Sequence, residues 1–478
     1  MSLFRTKSVE RILTESEDSA HHLKRTLGPV NLVALGIGAI IGAGLFSLTG
    51  IAAANYAGPA VVLSFVVAAT GCAFAGMCYS EFSTMIPIAG SAYTYAYATM
   101  GELLAWIIGW DLVLEYAVGA ATVSVSWSAY VVRLLHRFSI DLPSNLVHCP
   151  WDMPAGLINL PAVFIIIAIS ALLMKGISES ARVNAIIVII KVTIVIIVIA
   201  IGFSYIKPEN YTPFIPPNTG KFGEFGISGI MRAAAVIFFA YIGFDAVSTA
   251  AQEAKKPKRD MPIGIIGSLI VCTILYVLFA HVLTGMVDYH TFRGDAAPVE
   301  TVIKHFPYAW LQIAINVGII AGYSSVILVM LLGQSRVFYS MSRDGLLPRV
   351  FSDIHPKWRT PWRCNLIFMV FVSIFSGFTP IEKLGNMTSI GTLLAFVIVS
   401  IAVVVMRRTN PDLPRPYRTP LVPVVPILAV LVCMAMMVSL DVLTWYRLVI
   451  WLAIGLAIYF TYSRHHSHLV KVGTAEKR

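Results

Sequence analysis

A chain of 478 residues in which 57% are hydrophobic and only 13% charged cannot bury its apolar surface in one water-soluble core, and this composition is that of a polytopic membrane protein. The formal charge of +10 lies in the segments between apolar runs, where it faces anionic lipid, so it does not point to nucleic acid. No Walker loop, nucleophile elbow, helix-borne zinc pair or dinucleotide fingerprint is present, so neither an enzyme nor a resident metal or cofactor is expected.

The first 28 residues are polar and of mixed charge, with no apolar core before a small-residue cleavage site. They read as a cytoplasmic tail, partly helical around Ser8 to Leu13. Apolar runs long enough to cross a bilayer, roughly 20 residues each, then recur at 30–57, 61–87, 92–127, 157–176, 182–205, 229–253, 263–286, 309–341, 364–380, 387–406, 420–440 and 446–463. About twelve transmembrane helices are therefore expected. The third and eighth runs exceed one bilayer thickness and are read as tilted or extended helices rather than split ones. An N-terminus in the cytoplasm puts most of the 35 Lys and Arg residues inside, and both termini with them.

The first run carries Ile41-Gly42-Ala43-Gly44-Leu45-Phe46 near its middle, with Gly36 and Gly38 just before. Glycines let a backbone leave helical geometry, and broken backbone at membrane depth is tolerated where it lines a protein-enclosed cavity. Close helix packing would also use them. Phe239-Ala240-Tyr241-Ile242-Gly243-Phe244-Asp245 repeats the interruption in the sixth run, and paired interruptions point to a transporter site. Helix N-termini favour anions, so Gly42, Ala43 and Gly44 are expected to hold a carboxylate on backbone amides. Carbonyls at Ile40, Ile41, Phe239, Ala240 and Ile242 are expected to hold an ammonium.

In the third run, Asp111 and Glu115 share a helical face, and Glu115 with its central position is the candidate for the side-chain end of a pocket. The fifth run carries Lys191 between Ala185-Ile186-Ile187-Val188-Ile189-Ile190 and Val192-Thr193-Ile194-Val195, too deep to snorkel. It is either a helix tie or a group that gains and loses a proton during transport. Asp245 is placed to cap the second half of the sixth helix, and the charged stretch from Gln252 to Pro262 is a hinge between halves. The seventh run looks plain. The eighth brings Gly322-Tyr323-Ser324-Ser325, whose hydroxyls bond helix to helix or line the pocket. The last two runs look like ordinary lipid-facing helices. Six cysteines and the cluster His465, His466 and His468 make no metal site or disulfide framework. Asn210-Tyr211-Thr212 matches a glycosylation triplet common by chance.

Four stretches together resemble the amino acid-polyamine-organocation (APC) superfamily, most closely its cationic amino acid transporter branch. They are Gly38 to Phe46, Phe239 to Asp245, Glu253 to Pro262, and Arg343-Asp344-Gly345-Leu346-Leu347-Pro348, within a likeness running from about Leu23 to Arg464. The resemblance implies an all-α fold with a 5+5 inverted-repeat core at 29–406, helices 1 and 6 broken, and two peripheral helices at 407–464. Tails at 1–28 and 465–478 complete the chain. Room for only about twelve spans makes it look like a bacterial relative, in the cell (plasma or inner) membrane. The implied function is secondary active import of L-amino acids, neutral or cationic, by proton symport with alternating access. Its implied partners are the amino acid, protons and membrane lipids, and a small membrane subunit is left open. The resemblance also implies that Lys191 stands where sodium-coupled relatives bind an ion, its ammonium donating to carbonyls around Gly38 and Ala39 and to Ser324 or Ser325. An exchanger, or an amino-acid sensor built on the same fold, keeps the same site.

Overall fold

Apolar runs become helices whose limits are set by proline, capping side chains and glycine. In chain order they are α1 (Pro29–Ile40), α2 (residues 44–57), α3 (Val61–Met85), α4 (Ser91–Thr99), α5 (Glu102–Arg137), α6 (Leu160–Met174), α7 (Ala181–Gly202) and α8 (Gly226–Ile237, then a tight turn over Phe238–Tyr241). There follow α9 (Ala246–Thr249), α10 (Pro257–Met286), α11 (Pro298–Ile303), α12 (Ala309–Arg343), α13 (Trp362–Phe378), α14 (Ile381–Thr409), α15 (Val424–Ser439) and α16 (Val442–His466). This computed structural model describes residues 5–8, 27–86, 91–152, 154–176, 181–249, 251 and 254–468. Helix lies on each of the twelve predicted segments. The tail helix expected beyond Ser8, the turn at 87–90 and the start of the hinge at 252–253 lie outside the described residues.

Proline opens α1, α10 and α11 in the first turn, where a missing amide leaves no bond unmade. Asn159 caps α6 by taking the Ala162 amide, and Asp441 caps α16 by taking that of Thr444. One boundary corrects the sequence reading. Gly101 adopts φ 94°, so the third predicted segment is split into a short α4 and a spanning α5 that runs on to Arg137. The eighth segment stays one helix, α12, of 35 residues.

Two groups of helices pack among themselves. In one, α10 lies along both α3 and α1, and α8 packs on α3. In the other, α5 packs on α12 and α6, and α13 on α6. α7 touches α1, α10 and α12 and so bridges the groups, while α14 reaches α3, α5 and α15.

α16 keeps an exposed apolar face, as the sequence reading expects, and its other face is fastened to α5. Trp110 of α5 and Trp451 of α16 stack at 4.6 Å, and each ring nitrogen donates to the other residue's carbonyl, at 2.8 and 3.2 Å. Trp106 donates to Gly455 O, and a methyl group on Gly455 would collide with the Trp110 ring. Burying indole N–H groups in apolar surroundings requires such partners. At the far end of α3, the buried Glu81 carboxylate accepts from Arg407 Nε at 3.0 Å and Nη2 at 2.7 Å, and from the Thr419 amide at 2.8 Å. Arg407 thereby ties the last turn of α14 to α3, a bidentate geometry suited to guanidinium and carboxylate.

Candidate functional site

α1 stops being helical at Ile41, where ψ is 106°. The amides of Leu45 and Phe46 both donate to Gly42 O at 3.2 Å, so those of Gly42, Ala43 and Gly44 come before the first bonded turn of α2. A π-helical turn, Gly44–Leu48, follows, a geometry that concentrates at functional sites. The second break begins after Tyr241: Ile242 has ψ 135° and Gly243 has φ 116°, a conformation that favours glycine. The two breaks cross in contact. A methyl group on Gly44 would lie 2.1 Å from Ala240 Cα, and one on Gly243 would lie 2.9 Å from the Ala39 carbonyl. Both glycines are therefore required by a backbone-on-backbone crossing.

Lys191 of α7 enters this crossing from the side. Its Nζ donates to Gly38 O at 2.7 Å, and its side chain is buried. The aliphatic stem lies along α12, since a methyl on Gly322 would come within 2.9 Å of Lys191 Cε. Of its predicted neighbours, Gly38 is bonded to it directly. Ala39 packs on Gly243 instead. Ser324 turns away, donating to Ile320 O at 3.0 Å and accepting from Trp127 Nε1 at 3.0 Å, while Ser325 is buried on the same helix.

Glu115 sits on a π-helical turn of α5, Leu114–Val118, with Asp245, Asp111 and Thr392 as its neighbours. Tyr116 donates its hydroxyl to Asp245 Oδ2 at 2.8 Å, tying the third span to the second break. That side-chain bond is a partner for Asp245 beyond the capping role read from the sequence. A methyl on Gly391 would reach within 3.1 Å of Asp111 Oδ1, so this glycine leaves room for the carboxylate. Tyr323 lies elsewhere: its hydroxyl meets Ser47 Oγ at 3.0 Å, and its ring abuts Phe46 and Tyr130. It thus faces α2 beyond the first break.

Sequence reasoning missed Tyr276, on the seventh span that looked plain. Its hydroxyl is 2.9 Å from Ile40 O and 3.0 Å from Ala240 O, one carbonyl at the end of each half-helix. A tyrosine in the middle of an aliphatic run was the available signal, because a buried phenol seeks a partner. Phe65 and Tyr241 flank its ring at 5.5 and 5.3 Å.

The site is sealed. Every predicted site residue except the half-buried Ser324 is buried. On one side Ser47 donates to Ala296 O at 2.7 Å, Arg133 pairs with Asp295, and Arg137 holds Glu300 at 2.7 Å, pinning the segment that contains α11. On the other side, Lys7 pairs with Asp344 at 2.9 Å and Tyr93 donates to the same carboxylate at 2.7 Å.

Residues 27–459 match the family model described as amino acid permease. The chain belongs to that family, within the APC superfamily. The permease is 47% identical over 472 residues to the branched-chain amino acid permease of Bacillus subtilis, covering 98% of this chain and 99% of that one. It is 44% identical to the methylthioribose transporter of the same organism, over 98% of this chain and all of the other. It is 35% identical to the vacuolar cationic amino acid transporter 4 of Arabidopsis thaliana, over 86% of this chain and 68% of that one. Family membership makes it a multi-pass membrane transporter and not an enzyme, and amino acid transport is the activity of the family.

Proposed function

We propose that the permease imports L-amino acids by proton symport across the cell membrane, with both termini in the cytoplasm. The observation that carries this reading is the crossing of two broken helices with a buried lysine donating to a carbonyl of the first. In it, the substrate carboxylate meets the amides of Gly42, Ala43 and Gly44, and the ammonium meets carbonyls of Ile40, Ile41, Phe239, Ala240 and Ile242. Such a site reads the groups all amino acids share. Residues 29–406 form the transport core, with 407–464 bracing it. Tyr323 and Ser47 close the pocket on the Ala296 side, and Ser324 and Ser325 support α12 behind Lys191.

The carboxylate assignment is tested by competition. Amino acid methyl esters are expected to compete with labelled amino acid uptake into proteoliposomes at least about tenfold less well than the free acids, since charge-assisted hydrogen bonds are lost. Esters that compete equally would defeat it. Methylthioribose belongs in the same assay because a relative bears that name; a sugar that outcompetes every amino acid would replace the reading.

Glu115, with Asp245 as its neighbour, favours basic or small polar side chains over large apolar ones, because a cationic side chain can pair with a carboxyl group in a poorly screened cavity and a large apolar one cannot. Glu115→Gln is expected to shift the arginine-to-alanine uptake ratio down by about tenfold, the size of one lost charge-assisted contact. An unchanged ratio would remove the role.

A further inference from the structure

Lys255, Lys256, Lys258 and Arg259 are all exposed, four cations at the opening of α10 with only Pro257 among them. Among the described residues no carboxylate pairs with any of them. Asp260, next in the chain, is buried and occupied with the Lys256 amide, which donates to it at 3.1 Å. A helix N-terminus favours anions, so the local structure opposes this positive charge rather than balancing it. Arg259 also heads a stripe. Ile263, Ile270 and Ile274 follow it at helical spacing on one face of α10, and all three are exposed. Exposed isoleucines on a membrane span face acyl chains, so the cations lie where that face reaches the headgroups. α1 starts beside them: the Lys255 amide donates to Leu27 O at 2.8 Å, and Val30 is 78% exposed. The patch therefore sits at the shared end of two helices that pack along each other.

We propose that Lys255, Lys256, Lys258 and Arg259 form a docking surface for the headgroups of anionic phospholipid in the cytoplasmic leaflet. Opposite charge supplies the attraction, and the isoleucine stripe seats the acyl chains below it. Bound lipid holds the end of α10 at the membrane surface, and the start of α1 with it through the bond between Lys255 and Leu27. The inference rests on the cytoplasmic orientation proposed above.

Phosphatidylglycerol or phosphatidylcholine is titrated into the full chain in mixed detergent micelles while thermal unfolding is followed. Phosphatidylglycerol is expected to raise the melting temperature of the wild type and phosphatidylcholine to leave it unchanged. In the variant Lys255→Gln/Lys256→Gln/Lys258→Gln/Arg259→Gln, the phosphatidylglycerol needed for the same rise is expected to increase at least about tenfold, since each basic residue near an anionic surface contributes about fivefold. A second variant, Arg349→Gln/Lys357→Gln/Arg408→Gln/Arg418→Gln, removes as many charges from other cytoplasmic loops and should respond as the wild type does. About 1 M salt, which cuts the screening length to roughly 3 Å, should abolish the wild-type response without any substitution. The inference is overturned if both lipids act alike on the wild type, as they would were the acidic tail residues Glu15, Glu17 and Asp18 seated on the patch instead. It is overturned equally if the response survives high salt, if the patch variant keeps it, or if the second variant loses as much. Orientation is read separately, by labelling Lys255→Cys with a membrane-impermeant maleimide in cells and in inverted vesicles. Labelling from outside the cell defeats the orientation and this inference together; labelling in inverted vesicles alone, beside a failed lipid response, defeats only this inference.

Discussion

Lys191→Ala permease is expected to accumulate no amino acid while still exchanging it. The lysine donates to Gly38 O from a buried position, with its stem against Gly322. A hydrogen bond from a charged donor contributes about 1.5–3 kcal/mol, or roughly 10- to 100-fold in the balance between a held and a released first helix. On the proposed mechanism, protonation makes the grip and deprotonation releases it, so proton and substrate favour each other's binding reciprocally. Alanine removes this proton-dependent grip for good and leaves α1 only its other ties, such as Tyr276 on Ile40 O. Concentrative uptake under an inward proton gradient should fall by at least about tenfold on that arithmetic, while counterflow, which needs no net proton movement, persists. Replacing sodium by potassium should change nothing in the wild type. Accumulation by the alanine variant at wild-type level would sink the coupling role, as would a sodium requirement.

The second large effect is expected from one methyl group. Gly44→Ala puts a Cβ 2.1 Å from Ala240 Cα, where neither backbone can yield without separating the two breaks. Overpacking in a core typically costs 1–3 kcal/mol even where side chains can adjust, and here the colliding atoms are main chain. Transport is expected to disappear and the apparent melting temperature to drop. Gly42→Ala is the built-in comparison, since its nearest neighbour would be a Val326 methyl at 3.4 Å, an ordinary contact. That variant should unfold at nearly the wild-type temperature, and any loss of transport in it reports on the substrate rather than on packing. A Gly44→Ala protein that transports normally would show that the crossing is looser than described.

Much of the architecture was legible because it is written locally. Span lengths follow from the number of residues a bilayer requires, which places helix on each of the twelve predicted segments. Gly42, Gly44 and Gly243 announced breaks because glycine alone relieves backbone crowding, and Lys191 announced itself because an ammonium in an apolar run needs a partner. The misreading of the third span was also local. A run that stays apolar does not reveal that Gly101 turns the chain through a positive φ.

What only the tertiary structure decided is which residues meet. Lys191 and Gly38 are 153 positions apart, and Tyr276 is 236 from Ile40. Nothing in either neighbourhood specifies the other, because hydrogen bonds between helices depend on the register and rotation with which whole helices pack. The same holds for Gly44 against Ala240, for Tyr116 on Asp245 and for the reciprocal Trp110–Trp451 pair that turns an outer helix into a brace. Composition and periodicity thus determined that this chain spans a membrane and where its helices break. Long-range packing determined that the two breaks lie on each other with a lysine and a tyrosine at their seam, because only folding brings those backbone ends within hydrogen-bonding distance.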